Sequence, residues 1–217
     1  MPIGYDPNPT GPIDRLVRMA SRALSHYSGG ADQLATQEAL IGFARAQKLA
    51  NDTVEHVAKQ LQVGMTEYEA AQLLADYLKA HGCERYLHRP FAWFGDHARF
   101  DYSNYDEFHP SDRKLEAGAS VILDVSPFVD GYIGDVGYAI AIGAPNPELE
   151  KAKAFQLQLR AQIPALFSGS MTPAEIWLEV DRIITTSGYD TIHAKYPFCT
   201  LGHRVFRVKP KKGKQLR

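Results

Sequence analysis

The stretch 121-VILDVSPFVDGYIGDVGYAIAIG-143 decides how this chain folds. Apolar residues alternate with small or polar ones on both sides of Asp130-Gly131, a pair suited to a type I′ turn, so the stretch predicts an antiparallel hairpin. With Val129 and Tyr132 flanking the tip, Asp124 falls opposite Gly137 and Ser126 opposite Asp135. Strand alternation then sets Asp124 and Asp135 on one face as diagonal neighbours. Gly137, Ala139 and Ala141 keep that face shallow.

Two carboxylates converging in an apolar hairpin need a cation, because buried unpaired charge is costly. No Lys, Arg or His occurs from Ala117 through Glu150. A cationic side chain therefore has to come from elsewhere in the fold, and the sharper alternative is a divalent metal bridged by both carboxylates. The plainer reading also stays open: one aspartate faces solvent at a frayed edge, or both lie on a wetted face.

The 217 residues, 45% hydrophobic and 23% charged, suit an ordinary globular protein with one substantial core or two small halves packed together. The opening MPIGYDPNPTGP lacks the basic-then-apolar order of a secretory signal, and no apolar run is long enough to span a membrane, so cytoplasmic residence is expected. Cys83 and Cys199 are too few for a disulfide framework and read as core or near-core thiols. Seven basic residues and no acidic ones lie between Arg204 and Arg217; removing them from the net charge of −1 leaves −8 on the rest. Such a tail could meet an anionic surface, but no aromatic platform or nucleic-acid motif accompanies it, and nucleic acid is not the expected partner.

Helical signals recur with the same design. Residues 1–30 are expected to form an irregular arm with an amphipathic helix over 13–27, and a long helical pattern runs from about Asp32 to Leu61. Thr66 with Glu69 predicts a capping box for a helix ending at His81-Gly82. Asn146-Pro147 opens a helix through about Arg160, and Thr172 with Glu175 repeats the box before a helix ending at Ser187-Gly188. Residues from Gly64 align with those from Ser170 without a gap, so Gly82 matches Gly188 and His97 matches His203. The pattern predicts two similar α/β halves, about 31–143 and 144–217, with a central site made by both. Between the helices, Phe91, Trp93, Phe94, Phe100 and Tyr102 predict core strands or a pocket wall, and 104-NYDEFHPSD-112 a loop carrying His109 towards the hairpin.

From about Glu38 to Arg204 the chain resembles the M24 metallopeptidases, the group of methionine aminopeptidase, proline aminopeptidase and prolidase that shares a duplicated pita-bread fold with creatinase. The stretches that carry the resemblance are the hairpin 121–143, the loop from Asn104 to His109, 63-VGMTEYEA-70 and 201-LGH-203. It implies an α/β (α+β) pita-bread fold, incomplete at its C-terminal end. It also implies Asp124, Asp135 and His203 as metal ligands, His109 as the substrate-pocket histidine, and a divalent Mn, Co, Fe or Zn ion as cofactor. The implied reaction is hydrolysis of a C–N bond in a short peptide or other amide-bearing small molecule, by a protein that forms a homodimer.

The chain also departs from that family's pattern. Gly137 and Tyr138 stand where a hydroxyl residue and an arginine are usual, Arg204 replaces a glycine after Gly-His, and Pro210 falls where a second histidine is expected. The family's two late glutamates have no counterpart, since Asp190 is the last acidic residue. Two rivals to a peptidase follow: a noncatalytic binding or structural relative, and a creatinase-like amidinohydrolase.

Overall fold

Asp130 and Gly131 both take positive φ, 50° and 84°, the type I′ geometry that lets two strands turn back without splaying. This hairpin tip belongs to a computed structural model that describes residues 36–99, 109–167, 171–190 and Arg207. The N-terminal arm, Phe100, Tyr102, residues 104–108, Cys199, His203 and the basic tail other than Arg207 lie outside the described residues.

The described elements run in the order α1 (Gln37–Ala58), α2 (Glu67–Ala80), β1 (Phe91–Phe94), a 3-10 turn (Gly95–Arg99), β2 (Ser120–Val125), β3 (Phe128–Val129), β4 (Tyr132–Ile133), β5 (Val136–Ala141), α3 (Pro147–Phe167) and α4 (Pro173–Thr186). Strands β1, β2 and β5 form one antiparallel sheet with β2 in the middle, and β3 with β4 forms the hairpin tip. The register is the expected one. Asp124 pairs with Gly137, and Val129 pairs with Tyr132. On its other side β2 meets β1, so that Phe91 pairs with Asp124 and Phe94 with Val121.

Alternation along β2 separates the two faces. Val121, Leu123 and Val125 are fully buried and pack with Ala92 and Phe94 against Ala50, Val54 and Val57 of α1 and Leu74 and Leu78 of α2. Each such side chain taken from water contributes about 1.5–3 kcal/mol before entropy is counted. Asp124 therefore points away from the helices, on the face it shares with Phe91 and Gly137.

Caps set the helix ends. Thr36 accepts the Ala39 N–H, and Thr66 and Thr172 each form the expected reciprocal box with Glu69 and Glu175. One boundary differs from expectation: α3 does not stop near Arg160 but continues through Pro164 to Phe167. Proline deletes one backbone hydrogen bond. Leu159, Ile163 and Leu166 pack on Ile176, Val180 and Ile183 of α4, and that burial holds the last turns in place. Among the described residues, no helix is long and apolar enough to cross a membrane.

Candidate metal centre

Between the two ladders, Ser126 and Asp135 continue the hairpin register but make their hydrogen bonds elsewhere. Ser126 accepts the His88 N–H at 2.9 Å and the Leu87 N–H reaches its carbonyl at 2.9 Å, which docks residues 87–88 beside the hairpin. Asp135 is held by α1. Its N–H donates to Gln47 Oε1 at 3.1 Å, and Gln47 Nε2 donates to its carbonyl at 2.9 Å. Helix and hairpin approach closely enough that a Cβ on Gly134 would collide with the Ala46 carbonyl and stand 2.8 Å from the Gln47 nitrogen.

These anchors bring three side chains together. His88 Nε2 lies 3.3 Å from Asp124 Oδ1 and 3.8 Å from Asp135 Oδ1, and one donor atom from each residue falls within 4.8 Å of the others. All three are partly buried. Gly137 leaves the room that the pairing predicts, since a Cβ there would stand 3.3 Å from Asp124 Oδ2. The cationic partner does come from elsewhere in the fold, from the short connection before β1.

The electrostatics follow from this packing. Burial opposes the charged form of His88, but hydrogen bonds to Asp124 and Asp135 and the nearby Asp124 charge outweigh it, and the imidazole is pushed up to about 10. His88 Nδ1 faces the Arg89 carbonyl at 3.0 Å. Donation there leaves Nε2 aimed at the carboxylates, the orientation that a backbone acceptor commonly imposes on a ligating imidazole.

The donor set fits a divalent cation. Ligands at about 2.0–2.2 Å from a metal stand up to about 4.4 Å apart, so the observed spread closes with small side-chain movements. Two hard carboxylates and one imidazole suit Mn, Fe, Co or Zn better than a thiolate-seeking metal.

Of the residues expected at the site, Asp124 and Asp135 converge. His109 is exposed and precedes Ser111 at the edge of α2, and it does not belong to the converging cluster. His203 lies outside the described residues. His88 was given no role by sequence reasoning, because its reach to Asp124 depends on β1 pairing with β2 over Phe91–Phe94. The signal it does leave is local: Pro90 ends the connection and restricts Arg89 to extended backbone.

Comparisons with known proteins agree with this architecture. The profile of metallopeptidase family M24 matches residues 42–209. Among curated proteins, an uncharacterized peptidase of Staphylococcus aureus (strain bovine RF122 / ET3-1) is 22% identical over 200 residues, covering 92% of this chain and 51% of its own length. An uncharacterized peptidase of Staphylococcus epidermidis is 25% identical over 158 residues, covering 71% and 42%. The chain thus spans about half the length of the curated relatives it matches. Among solved structures, the X-Pro aminopeptidase of Thermotoga maritima superposes with a TM-score of 0.59 at 20% identity, covering 69% of this chain and 41% of that one. The prolidase of Pyrococcus furiosus gives 0.58 at 21%, covering 71% and 44%. At such identities these likenesses speak to the fold, an α+β pita-bread-like arrangement. With the profile match extending over most of its length, the chain belongs to metallopeptidase family M24.

Proposed function

We propose that Asp124, Asp135, His88 and His203 hold a divalent cation and that the protein hydrolyses a C–N bond near the amino end of a short peptide. The convergence of His88, Asp124 and Asp135 carries this reading. Arg207, four residues after His203 in the sequence, docks on the hairpin. It bridges to Tyr132, stacks its guanidinium 4.6 Å from that ring and pairs with Glu38 at 3.6 Å. His203 enters this ligand set through the resemblance that 201-LGH-203 carries. The equal lengths and matching boxes of α2 and α4, 14 residues each, support two related halves. The names of solved relatives, X-Pro aminopeptidase and prolidase, support the substrate class.

A divalent cation bound here supplies Lewis-acid polarisation of the scissile carbonyl and a more acidic water. The chain's own residues do the positioning. Asp124 from β2 and Asp135 from the link before β5 present one oxygen each, Gln47 fixes the Asp135 backbone, and the Arg89 carbonyl orients His88. His109, in the segment before the hairpin, meets the substrate. The protein works as a homodimer.

One observation favours a second reading. His88 already pairs with both carboxylates and offsets one of their two charges, so a noncatalytic relative could keep this hollow for binding alone. Metal analysis of the purified protein, followed by peptide release in added manganese or cobalt, separates the two. Bound metal at about one equivalent or more, with turnover, is expected. Protein that takes up no metal and releases no peptide belongs to the second reading.

A further inference from the structure

Glu67 is fully buried, yet its carboxylate takes no part in capping its own helix, a task that falls to Thr66 and Glu69. All its bonds go to distant segments. Oε1 accepts the Phe94 N–H at 2.7 Å, and Oε2 accepts the Ser111 N–H at 2.8 Å and the Ser111 hydroxyl at 2.6 Å. His97 Nδ1 stands 2.7 Å from both oxygens. One carboxylate thus holds the end of β1, the turn after it, and the segment that returns at Ser111.

The backbone reinforces the clamp. Residues 111–115 run antiparallel to 64–68: Tyr68 N–H donates to the Ser111 carbonyl at 3.3 Å, Glu67 N–H to Arg113 at 3.1 Å, and Leu115 N–H to Met65 at 2.8 Å. Arg113 N–H closes a local turn on the Ser111 hydroxyl at 3.2 Å. His109 lies two residues before Ser111, and the intervening Pro110 has its φ fixed by its ring. His109 therefore projects from a pivot held jointly by the buried Glu67 carboxylate and this backbone ladder.

We infer that Glu67 is a positioning residue for His109, setting where that imidazole stands through Ser111. Its weight in the reaction rests on the reading of His109 as the substrate histidine. Placement of a substrate-contacting group governs rate steeply, since an error of 1 Å can cost about 100-fold. Replacing the carboxylate by an amide keeps the shape but leaves one acceptor for the donors of Phe94, His97 and Ser111, so Glu67→Gln loosens the clamp whichever way the amide turns.

The test uses the full chain with histidine Cε1–Hε1 resonances as the first readout, which needs no turnover. The His109 signal is assigned by its loss in His109→Ala. In Glu67→Gln, and in Ser111→Ala should the first variant fail to fold, the His109 signal shifts while the exposed His56 and His81 signals stay. A folded variant with an unmoved His109 signal overturns the inference. The second readout is kcat/KM for peptide release with added manganese. Glu67→Gln lowers it roughly 10- to 100-fold, and the loss disappears in the His109→Ala background. An equal loss in both backgrounds makes Glu67 merely structural and overturns the inference. A wild-type kcat/KM in His109→Ala instead is a failure of the His109 reading, recognisable because the resonance shift persists.

Discussion

The side-chain amide of Gln47 bonds both backbone groups of Asp135, donating to its carbonyl and accepting from its N–H. It imitates the rung that a neighbouring strand would supply, at the point where the hairpin ladder is interrupted. Gln47→Ala leaves both groups partly buried without these partners, at a cost of about 1–3 kcal/mol, readable by urea unfolding. Because Asp135 is aimed by that backbone, metal affinity falls roughly 10- to 100-fold in the same variant, as for other groups that orient ligands. Calorimetric titration with manganese measures it. A loss of stability with unchanged affinity would mean that Gln47 supports the hairpin but not the site.

Gly134 tests the same contact from the other side. A methyl group there meets the backbone of Ala46 and Gln47, which cannot rotate out of the way as a side-chain end could. Gly134→Ala should cost about 1–3 kcal/mol or more by overpacking and push the hairpin off α1. The unfolding midpoint reports the cost. Gly64→Ala is the comparison: its positive φ carries strain but nothing lies within 4 Å, so it should leave metal affinity intact.

How far the sequence could be read is visible in these residues. The turn at Asp130-Gly131, the register of Asp124 with Gly137 and both capping boxes were legible because each is settled within a single hairpin or a single helix turn. The helix continuing through Pro164 was not, since its support comes from α4 across the turn. His88, Gln47 and Glu67 were missed for one shared reason. Each acts on a segment far away in the chain, and no local period or spacing records which strand or loop will lie beside it. The absence of any cation between Ala117 and Glu150 said that a protein partner for the carboxylates would have to come from elsewhere, without saying which residue or whether a metal took its place.

The elevated His88 proton affinity makes metal-free protein sensitive to alkali. Burial disfavours the imidazolium, yet the bonds to Asp124 and Asp135 prevail and hold it up to about 10, above its ordinary 6.5. A folded-state value above the unfolded one means folding favours the protonated form. The stabilisation is complete below about pH 6.5 and is lost as pH rises through about 10. Chelator-treated protein should therefore lose urea stability steadily across that window. His88→Asn should flatten the profile, and an unchanged slope in that variant would assign the loss to other groups.

Metal titration of a His88 variant distinguishes two roles for the imidazole by the sign of one effect. If His88 is a ligand, its Nε2 proton must leave on binding, so calorimetry in buffers of different ionisation enthalpy should show about one proton released per metal near pH 8. His88→Ala then loses that release and binds manganese at least 10-fold more weakly, as does Asp135→Asn. If His88 is instead an internal cation that the metal displaces, removing it takes away a competitor, and His88→Ala binds more tightly than wild type. The orientation imposed by the Arg89 carbonyl, which keeps Nε2 on the carboxylates, argues for weaker binding. Tighter binding would remove His88 from the ligand set while leaving Asp124 and Asp135 in it.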